Sequence, residues 1–267
     1  MAKSTDRTIL STSEGPAFEV HNPEGASEVL LVCEHASKTI PASLNNLDLD
    51  RPTSDSHVAW DPGALAVAEH LSAKLDATLI AARYSRLVYD CNRPPEADGA
   101  MPAKSEIFFI AGNQNLPAEA KTSRVAEIYV PFTNAIKDRI AARSESGQPT
   151  ALVTIHSFTP IYFGEMRKVE LGILHDSDAT LAEAMLRLPS TMNMQCNQPY
   201  GPDDGVTHTL KLHALPNGLL NVMIEIRNDL IVTETEQEKV AAELSEMLTK
   251  ALASLHIPAP KPEASHA

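Results

Sequence analysis

The chain has 267 residues and a formal net charge of −13, with 43% hydrophobic and 21% charged residues. This balance is ordinary for a globular protein with a buried core, whereas nucleic-acid binding requires a basic surface that the sequence lacks, so we expect no nucleic-acid partner. No apolar run approaches the roughly 20 residues that span a bilayer, and the first residues lack the apolar core of a secretory signal, so we expect no membrane partner and a cytoplasmic location.

Strand-like and helix-like segments are spread along the whole chain, which favours one α/β domain over two smaller ones. We predict an N-terminal arm over residues 1–28, a single domain over 29–257, and a disordered tail over 258–267. The three cysteines, Cys33, Cys91 and Cys196, have no CxxC spacing. They predict reduced thiols rather than a disulfide framework or a thiolate zinc site.

The first half of the domain alternates strands and helices. The strand at 29–33 is an unbroken apolar run, as expected of a central strand covered on both faces. Asp61 is the expected N-cap of the first helix, and Pro131 should kink the second. In chain order this half comprises a strand at 29–33, a loop at 40–54, a helix at 62–77, strands at 78–82 and 87–91, a lid-like segment at 96–116 and a helix at 117–143.

The second half is organised around a β-branched and aliphatic run at 151–155, which predicts a buried strand that ends at His156. Thr233 and Glu236 form a capping box at the start of the last helix, and Asp178 is the expected N-cap of the helix before it. In chain order this half comprises strands at 151–155 and 169–175, a helix that follows residue 178, a loop-like segment at 189–218, a strand at 219–226 and the final helix.

Several predicted strands have polar side chains at their carboxyl ends, where open α/β sheets have their binding crevice. His35 and His156 each follow a strand. Catalytic zinc takes three nitrogen or oxygen ligands and keeps one position open, so both histidines are candidate metal ligands. A further ligand could come from Asp55, His57 or Asp61. Because Asp61 already has a role as a helix cap, Asp55 is preferred.

Glu225 lies within an apolar strand, where an ionised carboxylate is costly unless it is paired or catalytic, and it is the candidate general base. Asn92 and Arg93 are candidates for a clamp on a substrate carboxylate, since a guanidinium binds carboxylates bidentately. The alternative for Arg93 is an ordinary ion pair. The other candidates for substrate binding are Arg86, His208 and His213.

Several common catalytic motifs are absent from the sequence. There is no GxSxG elbow, no GxxxxGK[ST] loop, no GxGxxG after a strand and no HExxH. Serine-hydrolase, P-loop, dinucleotide-binding and HExxH-metallopeptidase functions therefore lack their motifs. Cys33 beside His35 is a conceivable nucleophile, but a thiol inside an apolar strand has a raised pKa and is inert.

Taken in order, the remaining motifs resemble those of the N-formylglutamate amidohydrolase family, which is similar in turn to the zinc carboxypeptidases. The resemblance covers residues 29 to 230, and its motifs are CEHAS at 33–37, DSH at 55–57 with Asp61, YSRLVYDCNRP at 84–94, His156-Ser157, and Glu225. It implies a three-layer α/β/α sandwich with a mixed central sheet, similar to that of the zinc carboxypeptidases.

The resemblance also implies roles for the site residues. By this resemblance His35 and His156 match ligands of one Zn²⁺ per chain. Asn92 and Arg93 match the carboxylate clamp, and Glu225 matches the general base. One position departs from the zinc carboxypeptidase pattern, because Lys38 stands where those enzymes have a glutamate ligand, three residues after the first histidine. The second ligand must therefore come from elsewhere, and Asp55 or His57 is expected.

The function that the resemblance implies is zinc-dependent hydrolysis of the amide bond of an N-acyl amino acid, with N-formyl-L-glutamate as the substrate. The partner is then a small acyl amino acid, and a homo-oligomer is left open. Two alternatives remain. One is a carboxypeptidase or cell-wall peptide amidase, and the other is a relative that binds an amino acid or a metal without turnover.

Overall fold

The computed structural model describes residues 8–256. A mixed sheet of seven strands forms its middle layer, and two short hairpins lie outside this sheet. The strands are, in chain order, β1 (Phe18–His21), β2 (Val29–Cys33), β3 (Thr78–Ala82), β4 (Lys104–Ser105), β5 (Phe108–Phe109), β6 (Ala151–Phe158), β7 (Ile161–Tyr162), β8 (Glu165–Met166), β9 (Leu171–Leu174), β10 (Met194–Cys196) and β11 (Leu220–Arg227). The pair β4–β5 and the pair β7–β8 are the hairpins.

The strand order of the main sheet is β1-β3-β2-β6-β11-β9-β10. The four inner strands β3, β2, β6 and β11 run parallel to one another, whereas β1 is antiparallel to β3 and β9 is antiparallel to β11. The long strands β6 and β11 lie side by side at the centre. Their carboxyl ends therefore meet at one edge of the sheet, together with that of β2.

Helices cover both faces of the sheet. Their bounds are α1 (Arg51–Asp55), α2 (Ala64–Leu75), α3 (Ala118–Arg124), α4 (Val130–Glu145), α5 (Thr180–Leu186) and α6 (Glu234–His256). Alternate side chains of β2 point to opposite faces. Leu31 and Cys33 pack with α2, α5 and α6, while Leu30 and Val32 pack with α4. The prediction of a three-layer sandwich with a mixed central sheet is confirmed.

The predicted helix over 117–143 is divided into three parts. Between α3 and α4 lies one turn of π-helix, Val125–Tyr129, and Pro131 is the second residue of α4. Proline has no N–H for the regular hydrogen bond and its ring clashes with the preceding turn, so the local helical geometry has to change. The irregularity expected from Pro131 thus takes the form of a π turn.

The segment at 87–91 is not a strand, and this prediction was wrong. Its backbone bonds locally, since the Val88 N–H donates to the Ser85 carbonyl at 2.9 Å and the Leu87 N–H donates to Ser85 Oγ at 3.1 Å. The segment is apolar because Leu87, Val88 and Tyr89 are buried in the core next to α4. An apolar run of five residues does not distinguish a buried strand from a buried turn.

Other boundaries are partly as expected. The capping box at Thr233 and Glu236 is present, with the Thr233 N–H donating to Glu236 Oε2 at 2.8 Å. The helix predicted at 62–77 is α2, and its N-cap is Gly63 rather than Asp61. The predicted arm contains β1, the region 189–218 contains β10 and a helical stretch, and the predicted tail lies outside the described residues. No helix within 8–256 has the length and hydropathy to cross a membrane.

Candidate active site

The carboxyl ends of three parallel strands bring the main candidate residues together. Glu34-His35 follows β2, His156 lies on β6, and Glu225 on β11 is the register partner of His156. All four side chains are buried. The clustering expected from the separate sequence positions of His35, His156 and Glu225 is therefore present in the structure.

His35, Asp61 and His156 form a compact buried group. Asp61 Oδ2 lies 3.2 Å from His35 Nδ1 and 2.9 Å from His156 Nδ1, and the two Nδ1 atoms are 3.2 Å apart. Within residues 8–256 this is the group of three possible metal-binding side chains whose ligand atoms all lie within 4.8 Å of one another. Two imidazoles and one carboxylate with this convergence are a typical donor set for a catalytic metal.

Asp61 reaches this position because it precedes α2 without capping it. Its backbone N–H donates to the carbonyl of His35 at 3.0 Å, which ties it to the end of β2. Its Oδ2 also accepts the N–H of Ser157 at 3.3 Å. Burial alone would raise the pKa of Asp61, but the two histidines lower that pKa well below its usual range.

A second carboxylate and an arginine surround His35. Its Nε2 lies 2.7 Å from Asp90 Oδ1. Arg86 donates to Asp90 Oδ2 at 2.9 Å and contacts Asp61 Oδ1 at 3.4 Å. Burial opposes ionisation of Asp90, yet His35 and Arg86 hold its pKa well below the ordinary value. Asp90 therefore fixes the ring of His35 so that Nδ1 faces Asp61.

Glu34 supports His156 in a similar way. Its Oε2 lies 3.1 Å from His156 Nε2, although the relative orientation of the two groups falls outside hydrogen-bond geometry. Burial works against both charges, but their attraction lowers the pKa of Glu34 and raises the pKa of His156. Glu34 thus turns the Nδ1 atom of His156 towards Asp61.

Glu225 is in a different electrostatic environment. It is 4% exposed, and its Oε2 has no hydrogen-bond partner within residues 8–256. Burial raises its pKa to about 7, against the lowering effect of His156. A carboxylate with a pKa near neutrality is suited to accept and return a proton.

A cavity of about 320 Å³ opens directly onto these groups. Arg86, Asn92 and Arg93 all lie on its wall together with His35, Asp61 and Glu225. The Asn92 amide donates to the Val206 carbonyl, and its oxygen accepts the Thr209 N–H at 3.0 Å. Arg93 Nη1 donates to the Asp204 carbonyl at 2.7 Å, which leaves other N–H groups of its guanidinium for a ligand.

The preference for Asp55 as a metal ligand is corrected by the structure. Asp55 ends the short surface helix α1, its side chain is 43% exposed, and its Oδ1 accepts from Lys38 Nζ at 2.7 Å. His57 does line the cavity, but its Nε2 pairs with Glu106 Oε2 at 2.9 Å and it does not belong to the ligand group. The carboxylate in that group comes from Asp61.

Neither His208 nor His213 lies on the wall of the cavity. His208 Nε2 is hydrogen-bonded to the Tyr129 hydroxyl at 2.9 Å, and His213 Nε2 to Thr133 Oγ1 at 2.8 Å. Both histidines thus join the helical stretch after residue 206 to the segment that includes α4. In this structure neither side chain is placed to contact a ligand in the cavity.

Sequence reasoning gave no role to four residues that shape the site. Glu34 and Asp90 orient the histidines, while Glu106 and Tyr200 line the cavity. The position of Glu34 inside an apolar stretch was a usable signal, because a buried carboxylate requires a partner. Glu106 and Tyr200 lie in irregular segments, and their sequence surroundings contain no comparable signal.

Comparison with known proteins agrees with this geometry. The family model described as N-formylglutamate amidohydrolase matches residues 27–232. The chain belongs to the N-formylglutamate amidohydrolase family. As a member of this family it is a hydrolase, and the family resemblance expected from the sequence is confirmed.

Two solved structures show how far the similarity of the fold extends. A gene product from Agrobacterium tumefaciens is 54% identical, with a TM-score of 0.92 over 93% of this chain and 100% of its own. The N-formylglutamate amidohydrolase from Ralstonia eutropha is 19% identical, with a TM-score of 0.56 over 90% of this chain and 96% of its own. The second likeness concerns the fold alone. None of the curated proteins matches the chain.

Proposed function

We propose that the protein is a metal-dependent amidohydrolase that cleaves the amide bond of an N-acyl amino acid, with N-formyl-L-glutamate as the substrate. The observation that carries this proposal is the buried group of His35, Asp61 and His156, of which His35 and Asp61 line one cavity together with Glu225. A donor set, a carboxylate with a pKa near neutrality and a cavity of small-molecule size are what such a hydrolysis requires.

The ligand group fits one Zn²⁺ by its chemistry. His35 and His156 each direct Nδ1 to the same point, Asp61 supplies one carboxylate oxygen, and the three converge without any thiolate. This mixture of nitrogen and oxygen donors is typical of catalytic zinc, which keeps a position open. When bound, the ion would polarise the acyl carbonyl and acidify water at the site.

Glu225 would act as the general base. Because its Oε2 is buried and has no hydrogen-bond partner in the described part of the chain, the carboxylate is available to take a proton from the attacking water. The raised pKa then allows it to pass the same proton to the departing amine. Its position opposite His156 in the sheet register keeps this proton transfer next to the ligand group.

Arg93 and Asn92 would position the substrate. The uncommitted N–H groups of Arg93 would bind a carboxylate of the amino acid, which is a charge-assisted interaction of fixed geometry. Asn92 is held by Val206 and Thr209, so it would keep the rim of the pocket in place beside Arg93. Arg86 is already paired with Asp61 and Asp90, and it would mainly maintain their orientation.

The test is metal content by elemental analysis of the purified protein after zinc has been offered. We expect about one zinc per chain in the wild type and in Asp55→Asn, and loss of zinc in Asp61→Asn and His156→Ala. Asp55→Asn is the matched control, since it changes a carboxylate outside the ligand group. Zinc retained by Asp61→Asn, or absent from the wild type, would contradict the proposed site.

Turnover is measured on the same samples. Release of formate from N-formyl-L-glutamate by the zinc-loaded wild type supports the proposal. Hydrolysis of short peptides but not of acyl amino acids would favour the carboxypeptidase alternative. Tight zinc binding with no hydrolysis of either class would favour a non-catalytic relative.

A further inference from the structure

One wall of the cavity is formed by aromatic rings that surround a single arginine. The guanidinium carbon of Arg167 lies 4.3 Å from the ring centre of Tyr162, 4.7 Å from that of Tyr200 and 5.5 Å from that of Phe158. These three aromatic residues line the cavity. The β7–β8 hairpin holds Arg167 there, because the Arg167 N–H donates to the Pro160 carbonyl at 2.8 Å and so closes the hairpin.

The hydroxyl of Tyr200 is the polar end of this wall. Arg167 Nη1 donates to it at 2.9 Å, so the oxygen is occupied as an acceptor. No acceptor for its own proton is found in the part of the chain from 8 to 256. Burial and the nearby Glu225 carboxylate raise the pKa of Tyr200 to about 12, and the hydroxyl therefore keeps its proton at neutral pH.

The guanidinium, amide and imidazole donors discussed above for the cavity wall already have partners or a different role. Arg86 donates to Asp61 and Asp90, and the Asn92 amide donates to Val206. His57 is paired with Glu106. Arg93 is assigned to the substrate carboxylate. Of the two tyrosines on this wall, Tyr200 is the one whose hydroxyl oxygen is held by Arg167 and whose hydroxyl lies near Glu225, while its proton has no acceptor within residues 8–256.

We propose that Tyr200 is a further catalytic residue, which donates a hydrogen bond to the acyl oxygen of the substrate as negative charge develops there. Arg167 is a positioning residue in this arrangement. Its charged N–H bond to the hydroxyl oxygen fixes the direction of the hydroxyl and strengthens it as a donor. The inference rests on the proposed hydrolysis of an N-acyl amino acid. A preorganised donor of this kind is worth more in a buried cavity than in water.

The first experiment compares steady-state kinetics of zinc-loaded wild type, Tyr200→Phe and Tyr162→Phe. Removing one donor to a developing oxyanion costs about a hundredfold in kcat, and we expect this loss for Tyr200→Phe with KM little changed. Tyr162→Phe is the matched control, because it also removes a tyrosine hydroxyl from this wall. Unlike the hydroxyl of Tyr200, that of Tyr162 makes no hydrogen bond within residues 8–256. We expect it to lose much less.

The second experiment tests whether Arg167 acts through Tyr200. In the wild-type background we expect Arg167→Gln to lower kcat. In the Tyr200→Phe background we expect the same substitution to have little further effect, because the effects of coupled residues are not additive. Thermal unfolding and zinc content of each variant show whether it is folded and loaded. Equal losses from Arg167→Gln in both backgrounds would overturn the positioning role.

The outcomes separate this inference from the proposed function. If the wild type hydrolyses the substrate and Tyr200→Phe has the same kcat, the role of Tyr200 is overturned and the proposed function stays intact. A raised KM with an unchanged kcat would make Tyr200 a substrate-binding group and would also overturn its catalytic role. A folded, zinc-loaded wild type that hydrolyses no N-acyl amino acid would overturn both.

Discussion

Replacing Glu225 by glutamine should reduce catalysis and increase stability at the same time. The variant keeps the shape of the side chain but removes a carboxylate that is 4% exposed and whose Oε2 has no partner among residues 8–256. As the general base, Glu225 should contribute at least about a hundredfold to kcat. As a buried anion, it should destabilise the folded state wherever it is ionised.

The size of the stability change follows from the raised pKa. Glu225 has a pKa of about 7 in the fold against an ordinary value of 4.5. Between these values the folded chain binds a proton that the unfolded chain has lost, so stability falls as the pH rises through this window. The gap between the two pKa values corresponds to a loss of about 3 kcal/mol in the free energy of unfolding, and the full loss is reached above the folded-state pKa.

The assay is denaturant unfolding of metal-free wild type and Glu225→Gln at about pH 5 and about pH 8, since a bound cation would alter the same pKa. From about pH 5 to about pH 8, the free energy of unfolding of the variant should rise by about 2–3 kcal/mol relative to that of the wild type. Any constant cost of burying the glutamine amide cancels in this difference. A stability difference that does not depend on pH, or a near-normal kcat in the loaded variant, would refute the reasoning.

Three other predictions concern the surroundings of the site. Arg93→Ala should mainly raise KM for the acyl amino acid, and an unchanged KM in steady-state kinetics would remove Arg93 from the clamp. Burial, with help from His208, lowers the pKa of His213 to about 4, below the usual 6.5, so wild-type stability should fall as the pH drops from 6.5 towards 4. At about pH 5 this effect should cost the wild type about 2 kcal/mol in the free energy of unfolding, and His213→Gln should not show that loss in denaturant unfolding. Parallel pH profiles of stability for the wild type and the variant would contradict this. Gly172→Ala should cost about 1–3 kcal/mol and much of the turnover, because the added Cβ would lie 2.1 Å from the Gln198 carbonyl oxygen and 3.1 Å from Glu225 Cβ; wild-type unfolding and kinetics would contradict it.

Much of the fold was predictable because the inner strands are continuous apolar runs. The convergence of polar side chains at their carboxyl ends was predictable for a related reason. His35, His156 and Glu225 lie on or next to strands that parallel pairing brings to one edge, so the sequence alone indicates that they meet. The turn at 87–91 was not predictable in the same way, because its apolar side chains are buried without any strand pairing.

The carboxylate of the ligand group shows where such reasoning fails. Asp55 and Asp61 both follow the predicted loop at 40–54, and the sequence predicts a helix-cap role for Asp61. In the structure Gly63 is the N-cap, so the Asp61 carboxylate is free to face the histidines. The choice depends on a backbone hydrogen bond between Asp61 and His35, which is a tertiary contact without a local sequence signal.

We expect the two hairpins next to the cavity to influence the choice of substrate more than the reaction itself. The proposed reacting groups lie at the ends of buried strands, whereas Glu106 and Tyr162 reach the cavity from β4–β5 and β7–β8, whose Phe109 and Phe163 are 71% and 61% exposed. Surface hairpins tolerate insertions and substitutions far better than central strands do. The family could therefore acquire new acyl or amino-acid preferences by remodelling these hairpins while its hydrolytic chemistry stays constant, and the same hairpins are the natural place for engineering a different specificity.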